Sequence, residues 1–83
     1  MSDQAEQGRL RWRCRRGMKE LDLLLTGWLD TRWPAANEAE RAQFAQFLEL
    51  PDPQIAGYLL RDEEPDEFAP LVRQLRALRQ RPA

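Results

Sequence analysis

The chain has 83 residues, with 13 Lys and Arg against 14 Asp and Glu, a single cysteine and no histidine. A domain of this length buries only about 60 to 65 per cent of its unfolded surface, which leaves no room for the deep, water-excluding cavity of most enzymes. Without histidine the commonest general base and metal ligand are missing, a structural zinc site is excluded, and the lone thiol cannot form an internal disulfide, which fits a reducing compartment.

The net charge of −1 gives no overall field toward nucleic acid or an anionic membrane, yet the charges are segregated along the chain. Arg9, Arg11, Arg13, Arg15, Arg16 and Lys19 crowd the beginning, the stretch from Glu38 to Glu67 is mainly acidic, and Arg73, Arg76, Arg79 and Arg81 return at the end. Met1 to Gly8 is polar and no apolar run approaches about 18 residues, so neither a signal peptide nor a membrane span is expected, and a cytoplasmic location is.

In chain order, residues 1–8 read as a flexible polar tail and residues 9–81 as one helical domain. Leu10, Trp12 and Cys14 alternate with Arg9, Arg11 and Arg13 as a strand would, but no second strand exists to pair with them, so a short helix with Leu10 and Cys14 inward is the expectation. Met18, Leu21, Leu25, Trp28, Leu29 and Arg32 follow helical steps along one face, broadened by Leu24. Gly27 inside that run suggests a close helix crossing, and Pro34 stops it by pushing Trp33 from helical dihedrals. Asn37 and Glu40 form a capping-box pattern ahead of Phe44, Phe47 and Leu48. Asp52 reads as the next N-cap with Pro53 at the first helical position, followed by Ile55, Ala56, Leu59 and Leu60. After an acidic turn, Leu71, Leu75 and Leu78 repeat at helical spacing beside Phe68 and Val72, with Pro70 in or before the first turn. The result is an all-α, compact bundle of five short helices.

The seam between the first two helices carries the candidate site. In Arg15-Arg16-Gly17-Met18-Lys19-Glu20-Leu21-Asp22, the glycine permits an unusual dihedral or a close backbone approach, and Glu20 falls in the first turn, where a carboxylate is favoured by the helix dipole. On chemistry alone, Arg16 and Glu20 also read as a surface ion pair one turn apart. Cys14 reads as a small buried hydrophobe without a base to activate it, and of Trp12, Trp28 and Trp33 at least one is expected to stay partly exposed.

This octapeptide, with Arg16-Gly17-x-x-Glu20 at its centre, upstream Trp12 and Cys14, and the later Leu48-Glu49 and Asp52-Pro53, resembles the signature of the bacterial FAD assembly factors of succinate dehydrogenase and their mitochondrial counterparts. The resemblance spans residues 9 to 80. It implies an all-helical, non-enzymatic chaperone that binds the flavoprotein subunit of succinate dehydrogenase, and of the related fumarate reductase, and promotes covalent FAD attachment to a histidine of that subunit. On this reading no cofactor is bound stably by the chain itself, and FAD is carried by the partner. The implied partner-binding residues are Arg15, Arg16, Gly17, Met18, Glu20, Leu21 and Asp22, with no catalytic, cofactor or metal residues. Gly57-Tyr58 depart from the family pattern, which has a tryptophan nearby. Some members carry an antitoxin label, so neutralisation of a membrane-associated toxin is the alternative. The arginine run with Trp12 also invites a nucleic-acid reading, which the slightly acidic whole disfavours.

Overall fold

A computed structural model describes residues 3–79, and the helices are built from the pattern above. In chain order they are α1 (Asp3–Arg13), α2 (Lys19–Thr31), α3 (Glu38–Phe47), α4 (Asp52–Leu60) and α5 (Ala69–Arg79), with single 3-10 turns at Trp33–Ala35 and Asp66–Phe68. No strand occurs among the described residues. The radius of gyration is 11.9 Å, about the 12 Å expected of one compact domain of this length.

α2 lies at the centre. Leu21, Leu24, Leu25, Trp28 and Leu29 are all buried, and the helix is flanked by α1, α4 and α5. Trp28 stacks on Phe44 of α3 at 4.3 Å, meets Trp33 edge-on at 6.3 Å, and donates its indole N–H to Gln74 Oε1 of α5 at 2.8 Å. The partner for the indole polar atom removes the cost of burying it. Phe47 continues the aromatic layer against Phe68 and Tyr58. α1 is held by buried Leu10 and Cys14, by Gln7 donating to Leu29 O, and by an Arg11–Asp30 ion pair at 2.6 Å.

The elements end largely where local chemistry dictates. Asn37 and Glu40 form a reciprocal capping box, at 2.8 and 2.9 Å. Pro34 sits inside the 3-10 turn that follows α2, and Pro70 is the second residue of α5. Arg76 and Arg79 reach back from α5 to the last carbonyls of α4, bonding Tyr58 O and Leu59 O and pairing with Asp62. Cations there meet the negative end of the α4 dipole and satisfy its orphan carbonyls.

Several expectations are corrected. The helix begins at Asp3, so residues 3–8 are not a tail: Gln7 is tied to α2 and the helix extends one turn beyond the packed residues. Met1, Ser2 and residues 80–83 lie outside the described residues. Met18 is not part of the buried stripe; it is the extended N-cap of α2, 40 % exposed. Arg32 is likewise exposed, because α2 stops at Thr31 and the chain turns before reaching it. Asp52 does not cap α4, whose N-cap is Pro51, since its carboxylate is engaged by Arg16.

The expected crossing at Gly27 exists, where Leu78 of α5 packs over the glycine. It is not tight, since a Cβ at Gly27 would lie 3.5 Å from Leu78 Cδ1, an ordinary contact. Gly27→Ala is therefore expected to stabilise the fold by up to about 1 kcal/mol through helix propensity, read as a higher urea midpoint with an unchanged slope.

Candidate functional site

The seam between α1 and α2 folds into a turn whose conformation follows from Gly17, at φ +81°. That region penalises residues with a Cβ, so the glycine is required by the backbone itself. A Cβ built there would meet nothing within 4 Å. The monomer thus uses the glycine for its dihedral, and the space above it is open. Asp22 closes the turn by accepting the Arg16 backbone N–H at 2.8 Å from the first turn of α2.

Arg16 points inward, toward the connection between α3 and α4. Its side chain is 16 % exposed; the guanidinium donates to Leu48 O and to Leu50 O, and pairs with Asp52 Oδ1 at 3.2 Å. Leu48 is the C-cap of α3 and Leu50 lies in the connection to α4, so both carbonyls lack a helical partner and a planar cation with several donors suits them. The motif turn and the Leu48-Glu49-Leu50 segment are thereby fixed side by side, although 32 residues separate Arg16 from Leu48. No Arg16–Glu20 ion pair forms. Glu20 is exposed and makes no ion pair among the described residues.

The seven residues singled out from the sequence therefore divide. Arg15, Gly17, Met18 and Glu20 are exposed on one side of the turn. Arg16 and Asp22 are part-buried and engaged internally. Leu21 is fully buried in the core and offers no surface to a partner, which corrects the expectation that it is a contact residue. It lies on the same helical stripe as buried Leu24, Leu25 and Trp28, while Glu20, about 100° away around the helix, is exposed.

Two neighbours were not singled out for this face. Leu23, one turn beyond Glu20 on the outer side of α2, is 63 % exposed. Glu49 lies across an open cleft of about 500 Å³ shared with Arg13, Arg15, Arg16 and Leu48. For Glu49 the only signal in the sequence was its place beside Leu48; its proximity to the turn is created by Arg16. Trp12 is the exposed tryptophan, with the Arg15 guanidinium 5.0 Å from its ring centre, whereas Trp28 and Trp33 are core.

Cys14 is fully buried directly behind the turn. Burial pushes its thiol up to about 12, with Arg16 and Arg11 opposing the shift only in part. It is a neutral, inert group at physiological pH. Among the described residues no cluster of His, Cys, Asp and Glu could hold a metal ion, and no helix is long and apolar enough to cross a membrane.

The geometry is that of a partly open turn braced from within by Arg16 and Asp22. A family model described as the flavinator of succinate dehydrogenase matches residues 8–79, which includes the turn and every helix that supports it. The chain belongs to this flavinator family. Among similar curated proteins, the FAD assembly factor SdhE of Xylella fastidiosa (strain 9a5c) is 44% identical over 80 residues, covering 94% of this chain and 82% of its own. The proteins of the same name from Coxiella burnetii (strain RSA 493 / Nine Mile phase I) and Pseudomonas aeruginosa (strain PAO1) are 34% and 36% identical, each covering 94% of this chain and 98% and 92% of their own. No solved structure matches the chain. Within this flavinator, the arginine of the motif supports the turn from inside, while the glycine and glutamate face outward.

Two measurements check this division. Arg16→Met leaves two carbonyls and Asp52 without their donor and should lower stability by about 2 to 3 kcal/mol in urea unfolding, whereas a merely partner-facing arginine would change it little. For Cys14, burial raises the folded thiol from the ordinary 9.0 toward about 12, so its contribution is complete below about pH 9 and is lost as pH rises toward about 12. Cys14→Ala should accordingly show a flatter alkaline decline of melting temperature than the parent.

Proposed function

We infer that this chain is an assembly factor that docks through the Gly17 turn on the flavoprotein subunit of succinate dehydrogenase and promotes covalent attachment of FAD. The observation that carries this reading is the match to the flavinator family over residues 8–79, together with a motif turn left open above Gly17 and beside Glu20. The fumarate reductase flavoprotein is proposed as a second client, and the cytoplasm as the place of encounter. The family description and the relatives' names describe FAD assembly and lend nothing to an antitoxin-like role.

The role is proposed to be non-enzymatic. The chain has no histidine, and its one thiol is buried and neutral. The nucleophile, the flavin and the bond formed between them belong to the flavoprotein, and FAD is proposed to arrive on that partner, with no stable site on this chain.

What the bundle contributes is a fixed shape. A turn locked by Gly17, Asp22 and Arg16 loses little freedom on binding, so its contact energy can act on the partner's conformational equilibrium. Favouring the one flavoprotein arrangement that holds flavin and acceptor side chain in attack geometry by about 1.4 kcal/mol raises its ratio over its competitors tenfold. Glu20 supplies a charge-assisted contact, and the missing side chain at Gly17 lets the partner's backbone come close.

Glu20→Ala tests this directly, because Glu20 makes no ion pair among the described residues and its loss should shift stability by no more than about 0.5 kcal/mol. The variant is expected to keep the parent's circular dichroism and melting temperature. Stimulation of covalent flavin incorporation into purified apo-flavoprotein, read as in-gel flavin fluorescence, should fall by about tenfold or more, the consequence of losing roughly 1.4 kcal/mol of contact. Full stimulation by the folded variant would remove Glu20 from the docking contact.

A further inference from the structure

Among the described residues, the large hydrophobic side chains left exposed are Trp12, Met18 and Leu23, at 71, 40 and 63 %. All three fall within twelve residues, on either side of the Gly17 turn. Trp12 is the outlier in a chain whose other two tryptophans are at most 1 % exposed. On α1, Arg9, Trp12 and Arg13 share one exposed face, as their three- and four-residue spacing requires, and Trp12 is the one that points away from buried Leu10 and Cys14.

The charges of this face are open as well. Arg76 and Arg79 are engaged by α4 and Asp62 within the monomer, whereas Arg9, Arg13, Arg15 and Lys19 make no ion pair among the described residues. Arg15 lies over the Trp12 ring and lines two clefts, one of about 300 Å³ with Gly8, Arg11 and Trp12, the other beside the motif turn. The α1 face is therefore continuous with the turn.

We propose that α1 carries a second docking element for the flavoprotein: Trp12, held by Arg15 and flanked by Arg9 and Arg13, seats in an apolar slot rimmed by carboxylates on that partner. The inference rests on the proposed function and extends its contact surface beyond the motif. Tryptophan and arginine are the residues most enriched at the energetic centres of interfaces, and an indole already stacked by a guanidinium loses little rotamer freedom on binding. Four cations that make no ion pair among the described residues specify acidic groups opposite them and make encounter dependent on salt. A polyanion such as RNA would match the cations equally well at short range, but the whole chain carries −1 and offers it no long-range attraction.

The test compares parent, Trp12→Ala and Arg13→Glu/Arg15→Glu chains binding to immobilised apo-flavoprotein subunit, with circular dichroism to establish that each variant is folded. Trp12→Ala should weaken binding about tenfold or more, chiefly through faster dissociation. The charge-reversed variant should associate more slowly and lose most of the salt dependence that the parent shows between about 50 and 300 mM. Parent-like binding by both folded variants would overturn the α1 element while leaving the proposed function standing, whereas failure of the parent itself to bind would overturn both. Trp12-dependent binding of a single-stranded RNA probe without effect on the flavoprotein, or a parent dimer that Trp12→Ala converts to monomer, would equally overturn it.

Discussion

The fold depends on the enclosure of α2. A helix flanked by α1, α4 and α5, with Trp28 clasped between Phe44, Trp33 and Gln74, has little of its middle left to offer another molecule. What it can present is its first two turns. Those turns begin at a glycine-bearing bend, so the most constrained element of the domain delivers Glu20 and Leu23 to the surface on a rigid base. Precision of this kind matters more for favouring one conformation of a partner than for holding a small molecule.

The three fixed positions of the motif divide the work. Arg16 faces inward and supports the bend from below, bonding the frayed end of α3 and Asp52. Gly17 allows the bend and leaves the space above it empty; Glu20 faces outward without an ion pair among the described residues. Removal of Arg16 takes away contacts that hold the monomer's own turn, whereas removal of Glu20 takes away no ion pair among the described residues. The two clusters of arginine are separated in the same way. Those on α5 bond carbonyls and a carboxylate at the end of α4, whereas on and beside α1 only Arg11 is ion-paired among the described residues, and Arg9, Arg13 and Arg15 are not.

The sequence by itself determined the presence of five helices, several of their stops and the family resemblance. Proline, the Asn37–Glu40 capping box and three- and four-residue apolar steps are local signals, decided within a turn or two of chain, and the motif belongs to the same short range.

Only the tertiary structure decided which way the motif faces. The resemblance implied Arg16 and Glu20 as contacts framed by Leu21, although Leu21 also lay on the apolar stripe of α2; that Arg16 turns inward was not legible, because it precedes the helix and its direction is set by the α3–α4 connection. Asp52 reads as a helix cap until a guanidinium 36 residues away is placed against it, and residues 3–8 read as a tail until Gln7 finds Leu29 O. Each of these outcomes rests on a contact between segments far apart in the chain, whose free energy exists only once the core has brought them together; a local pattern carries no trace of it.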